Sequence, residues 1–126
     1  MLIAGFALAL LAALVHVFIF YLESFAWEGE KARALFGTTP ESARVTKFNA
    51  YNQGFYNFFL AALVFAGLVA LLWSRTVGLT LALAGVTPLL AAATVLFVSS
   101  APHRAAALKQ GAFPLLATVF LLLAAF

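Results

Sequence analysis

With 126 residues, 66% of them hydrophobic and only 9% charged, the chain lies far outside the soluble-globular range of roughly half apolar and a quarter charged. It reads as a membrane protein, and nucleic-acid binding is a poor reading of its net charge of +3, because the seven basic residues all fall near expected membrane edges. There is no cysteine, which excludes a disulfide framework and thiolate chemistry.

A bilayer core of about 30 Å takes roughly 20 mostly apolar residues to cross. Four stretches qualify, at about 2–24, 49–72, 77–98 and 106–126, and they form one four-helix transmembrane domain over residues 1–126. The runs are continuously apolar, whereas barrel strands alternate, so the predicted fold class is all-α, an up-down integral membrane four-helix bundle. The first stretch lacks a basic leader, and its apolar run exceeds the usual signal-peptide core, so it is expected to be a retained span. It carries His16 and Glu23 seven positions apart, on a face shared with Gly5, Ala9, Ala12, Ala13 and Trp27. The small residues there mark the packing side of the helix.

Between the first and second spans, Trp27 to Phe36 mixes Glu28, Glu30, Lys31 and Arg33 with Trp27, Leu35 and Phe36, and Gly37 closes it. The pattern predicts a short interfacial helix with Trp27 at headgroup level. Thr38 and Thr39 then precede Pro40 and Glu41, an N-cap followed by a first-turn proline and a first-turn acid. The second membrane helix is therefore expected to begin near Pro40, ahead of its apolar run.

That helix holds the most informative feature of the chain. Asn49, Asn52, Gln53, Tyr56 and Asn57 follow the spacing i, i+3, i+4, i+7, i+8, which puts all five on one helical face. Burying them in hydrocarbon would cost several kcal/mol, so the face must meet protein, water or a ligand. The third span carries a small-residue stripe of Gly78, Ala82, Gly85 and Ala92 and a kink-forming Pro88. Thr80, Thr87 and Thr94 lie opposite the stripe and can bond their own backbone. Before the fourth span, His103 follows Pro102 in a loop, where it is expected to be solvated, and Gln110 enters the membrane one or two turns later.

Lys31, Arg33, Arg44, Lys47, Arg104 and Lys109 flank connections one and three, against Arg75 alone on the other side. The bias predicts those connections in the cytoplasm and both termini outside. Glu23, the Asn49–Asn57 row, His103 and Gln110 then converge on the cytoplasmic half of the bilayer, and a cavity reaching His16 near the midplane is expected there. In that cavity His16, Glu23 and Tyr56 are the candidate catalytic groups, and Asn49, Asn52, Gln53, Asn57 and Gln110 the candidate ligand-binding groups. One His and one carboxylate fall short of the three or four ligands zinc wants, so no metal is expected, and no cofactor can be named.

His16, Tyr21-Leu22-Glu23, Asn52-Gln53-Gly54-Phe55-Tyr56-Asn57 and Gln110 with Pro114 together resemble a family of small four-span bacterial membrane proteins catalogued as domain of unknown function 1304. The resemblance covers almost the whole chain and implies a multi-pass protein of the bacterial inner membrane, with no activity attached. A more distant similarity is to the membrane-associated eicosanoid and glutathione metabolism proteins. Those enzymes place Arg, Asn and Glu at the start of helix two, whereas Gln53, Tyr56 and Asn57 here include no Glu, which removes a carboxylate important to thiol-cofactor binding.

Three readings stay open on the residues. The first is a site that binds, or also transforms, a small amphiphile entering from the cytoplasm or inner leaflet. The second is an assembly protein whose polar face joins partner helices, including those of a homo-oligomer. The third is a transporter subunit, which would need polar lining through the other half of the bilayer as well.

Overall fold

The computed structural model describes residues 1–126 and contains helices only. In chain order these are α1 (Leu2–Phe25), α2 (Glu30–Phe36), α3 (Pro40–Ala70), α4 (Arg75–Ser99), a 3₁₀ turn (Ala101–His103) and α5 (Arg104–Ala125). The four long helices are each long and apolar enough to cross a bilayer, and the chain is a multi-pass membrane protein. They pack in a ring, α1 against α3 and α5 and α4 against α3 and α5, while the diagonal pair α1 and α4 barely touch. Short turns reverse the chain between α3 and α4 and between α4 and α5, and α2 with its flanking turns does so between α1 and α3, as an up-down bundle requires.

Local chemistry sets the helix ends where the sequence indicates. The Thr39 hydroxyl accepts from the Ser42 N–H at 3.1 Å with Pro40 in the first turn, and the Ser74 hydroxyl accepts from the Val77 N–H at 3.3 Å. Gly37 closes α2 at φ 66°, a left-handed conformation that side chains other than Gly rarely adopt. The interfacial helix is shorter than the pattern of Trp27 to Phe36 implies. Gly29 donates to the Ala26 carbonyl at 3.1 Å, so residues 26–29 form a turn, and Trp27 stands in that turn ahead of the helix.

Small side chains let the helices meet at backbone distance. Gly5, Ala9, Ala12, Ala13 and His16 of α1 are all buried, as their shared face predicts. A Cβ on Gly67 of α3 would come within 2.7 Å of the Ala82 nitrogen and 2.8 Å of the Gly78 carbonyl oxygen, so α3 and α4 touch main chain to main chain. The α4 stripe differs in one place from the expected one. Ala92 is exposed and Ala93 is buried, because α4 turns its inner face from α3 toward α5 along its length, where Ala93 meets Gly111. α4 also runs unbroken through Pro88. Thr80, Thr87 and Thr94 each donate to the carbonyl four residues back, at Thr76, Leu83 and Leu90. Arg75 donates to the Ala124 carbonyl at 2.5 Å, tying the start of α4 to the last turn of α5, where a cation suits the helix dipole.

The end of the bundle that holds connections one and three gathers Lys31, Arg33, Arg44, Lys47, Arg104 and Lys109, and is called the basic end below. There α2 and its flanking turns are strapped to α3 by two side-chain contacts. Trp27 Nε1–H donates to the Thr46 hydroxyl at 3.0 Å, and Lys47 pairs with Glu28 at 2.5 Å. The Lys47 ammonium, by its hydrogen bond and its charge, holds the Glu28 carboxyl below the usual carboxylate range. A depressed carboxyl stabilises the folded strap above the ordinary value near 4.5, and that support is lost as pH falls through the lowered one. An NMR titration is expected to show Glu28 ionising at lower pH than a free Glu and returning toward the ordinary value in Lys47→Ala. The pair is exposed, so the overall melting temperature should move little.

Candidate functional site

α3 is 31 residues long and therefore spans about 46 Å, against a hydrocarbon core of about 30 Å. Laid across such a core with Ala70 at one edge, α3 projects its first ten or so residues at the basic end, which puts the edge of the core between Asn49 and Gln53, and Tyr56 and Asn57 one to two turns inside it. Against this stretch packs the last turn of α1, brought close because Gly54 presents no side chain to Phe20, Glu23 and Ser24. Ser24 Oγ donates to the Tyr51 carbonyl at 2.9 Å, and Phe20 lies with its ring 5.0 Å from that of Phe55 and 4.9 Å from that of Phe58. These contacts close the seam on its lipid-facing side.

On the other side the seam stays open as a cleft of about 210 Å³ lined by Glu23, Trp27, Thr46, Asn49, Ala50 and Gln53. Glu23 lines its inner end and is buried, with 8% of the residue exposed. Asn57 Nδ2–H donates to Glu23 Oε2 at 2.7 Å and also lies 3.3 Å from the Gln53 carbonyl. Glu23 Oε1 accepts no hydrogen bond and is not sealed, since the Thr38 hydroxyl is the one buried side-chain polar atom without a partner. Thr46 has its donor engaged, accepting from Trp27 and donating to the Ser42 carbonyl at 2.7 Å. The Trp27 N–H is used in the same way, which leaves its ring as the cleft's apolar wall. The amides of Asn49 and Gln53 make no side-chain hydrogen bond within the protein and stand exposed at the rim. The cleft therefore offers one carboxyl oxygen, two unengaged amides and an aromatic surface.

The five-residue row divides along this seam. Asn49 and Gln53 line the cleft, Asn57 holds Glu23 from beneath, and Asn52 and Tyr56 point elsewhere, with Tyr56 70% exposed. At 100° per residue the row spans an arc of about 140°, too wide for one neighbouring helix to cover. The cavity is also shallower than the sequence implies. Its lining stops at Glu23 and Gln53, and His16 lies about 10 Å further along α1. His16 is 3% exposed and donates from Nδ1–H to the Ala12 carbonyl at 2.8 Å, so its other nitrogen, Nε2, carries the lone pair. Gln110 occupies the same register: Gly5 packs on Leu121, and eleven residues on along α1 and eleven back along α5 are His16 and Gln110. No hydrogen bond joins them. His103 is half-buried rather than solvated, its Nδ1 sharing a 2.6 Å hydrogen bond with Ser100 Oγ across the 3₁₀ turn.

A family model described as "Protein of unknown function (DUF1304)" matches residues 10–122. The chain belongs to the DUF1304 family. No curated protein and no solved structure matches it. In this DUF1304 protein the matched segment begins inside α1 and ends inside α5, so it takes in His16, Glu23, all of α3 and the cleft.

Thr46 and Ala50 are cleft residues that the polar row does not include, and Trp27 lines the cleft besides standing near the interface. A signal for them exists in the sequence: Thr46, Asn49, Ala50 and Gln53 keep the i, i+3, i+4, i+7 spacing, one turn upstream of the row.

Proposed function

We propose that this DUF1304 protein is a bacterial inner-membrane protein, a single four-helix domain with its basic end in the cytoplasm and both termini outside, that binds a small amphiphile. The ligand's apolar chain lies in the inner leaflet, and its head group enters the cleft between α1 and α3. The observation that carries this reading is the Glu23 carboxyl, secured on one oxygen by Asn57 and open on the other at interfacial depth. Groups that only accept hydrogen bonds would find no donor there except the rim amides, whereas a head group that donates, above all an ammonium, meets a carboxylate and an aromatic ring. The six-to-one basic bias supports the orientation, and the interfacial depth supports an amphiphile over a fully soluble or fully apolar ligand.

Binding is better supported than transformation. A proton relay between His16 and Glu23 would need them adjacent or bridged, and about 10 Å of helix separates them. Tyr56, the third candidate catalytic group, stands outside the cleft.

Residues kept for binding stabilise the fold little or cost it stability, while interhelical glue adds to stability. Asn49→Leu and Gln53→Leu are therefore expected to melt at or above the temperature of the unmodified protein in nanodiscs. A marked fall in either would return the row to a structural role. The outward placement of Asn52 and Tyr56 favours a second reading for those two residues alone, as contacts to a neighbouring helix. Asn52→Leu with Tyr56→Phe would then reduce an oligomer measured by mass photometry without altering the cleft.

A further inference from the structure

A second recess, independent of the α1/α3 cleft, runs between α4 and α5 from the basic end toward mid-membrane. It holds about 310 Å³ and is lined by Leu90, Thr94 and Phe97 on one side and Ala107, Gly111 and Ala112 on the other. It exists because Ala107, Gly111 and Ala112 leave α5 without bulk opposite Phe97 and Leu90. Thr94 spends its hydroxyl on the Leu90 carbonyl, so the groove offers no free donor and suits an alkyl chain. From Phe97 to Leu90 it runs about 10 Å along the helix axis.

At its basic-end mouth stands Arg104. The guanidinium carbon lies 5.2 Å from the centre of the Phe97 ring, and Nε–H donates to the Phe97 carbonyl at 3.1 Å. Both Nη groups are without a protein partner, and Arg104 opens α5, where the helix dipole also favours an anion. No acid is paired with it: the one salt bridge of the chain joins Lys47 to Glu28.

We propose that the α4/α5 groove holds one acyl chain of an anionic phospholipid whose phosphate is gripped by the Arg104 guanidinium. The commitment to a lipid follows from the combination: a dry, donor-free channel for the chain ends beneath a fixed cation with free donors, at the depth where a headgroup phosphate sits. The apolar core of the bundle holds no acid but Glu23, which is internally bonded, so a second copy seated along the groove would bring Arg104 an acid only from its interfacial residues.

Native mass spectrometry of the full chain, released from detergent with phosphatidylglycerol or phosphatidylcholine of identical chains, tests this. The unmodified protein should retain one phosphatidylglycerol preferentially. Arg104→Gln should reduce that preference about fivefold, the effect of one basic residue near an anionic surface. Arg104→Lys should keep most of it. Lys109→Gln, an equal loss of charge about 140° around α5, should leave it unchanged. Ala112→Phe, at an exposed groove position, should reduce retention of both lipids without unfolding the bundle. Excess glycerol phosphate should not displace the lipid. Equal retention of the two lipids, an equal effect of Lys109→Gln, displacement by glycerol phosphate, or a dimer abolished by Ala112→Phe would each overturn the assignment.

Discussion

Gly67→Val is expected to be the most damaging single substitution in the bundle. The new Cβ would fall 2.7 Å from the Ala82 nitrogen and 2.8 Å from the Gly78 oxygen, both main-chain atoms that cannot rotate away. The two helices would have to separate along their length. Between membrane helices no hydrophobic force drives them back together, because lipid is as apolar as the packing it replaces. Overpacking of this kind costs about 1–3 kcal/mol or more, and here it acts on main chain rather than on a flexible side chain. Thermal unfolding followed by circular dichroism should show a clear fall for Gly67→Val and none for Ala92→Val, which adds the same kind of bulk on the exposed side of α4. Equal melting of the two would mean that α3 and α4 do not meet as closely as described.

The second large effect is expected at Asn57. Its amide is the only side-chain donor to Glu23, and Asn57→Leu would leave a carboxyl oxygen inside the bundle with no partner. Unpairing such a group costs about 1–3 kcal/mol, toward the low end here because Glu23 retains contact with the cleft. Glu23→Gln should be milder, since an amide oxygen still accepts from Asn57. The double variant Glu23→Leu with Asn57→Leu should recover most of what Asn57→Leu alone loses, because it removes both polar groups. A double-mutant cycle measured by unfolding in detergent gives the coupling directly. Additive losses would mean that the two side chains do not interact.

Much of this architecture is legible in the residues themselves. Long apolar runs give the four spans, the Thr39-Pro40 start and the Gly37 stop bracket the first connection, and the Gly5-Ala9-Ala12-Ala13 stripe gives the buried face of α1. Other features depend on where a neighbour sits, which helical spacing alone does not specify. Asn49 and Asn57 share an arc of α3, yet one rims a cleft and the other is bonded to Glu23 beneath it. A partial signal is a second stripe, Ala43, Ala50, Gly54 and Ala61, all buried, which marks the strip of α3 in contact with α1. Asn57 and Gln53 lie nearest that strip and Asn52 and Tyr56 furthest from it, while Asn49, about 120° away, lines the cleft without being marked by it. His16 illustrates the same limit in depth. Its face is evident from its spacing to Glu23, but whether a cavity extends that far depends on how tightly α1 closes against its neighbours, and those helices pack through small residues there.

The chain has two tryptophans, Trp27 in the wall of the cleft and Trp73 at the opposite end, so Trp73→Phe leaves a single reporter at the site. The decisive measurement is the Trp27 emission of that protein in nanodiscs, titrated with a long-chain primary amine and, separately, with the alcohol of the same chain. A saturable change is expected with the amine, a much weaker one with the alcohol, and loss of the amine response in Glu23→Leu. A response that never saturates, or one that persists undiminished in Glu23→Leu, would contradict a head-group site at Glu23.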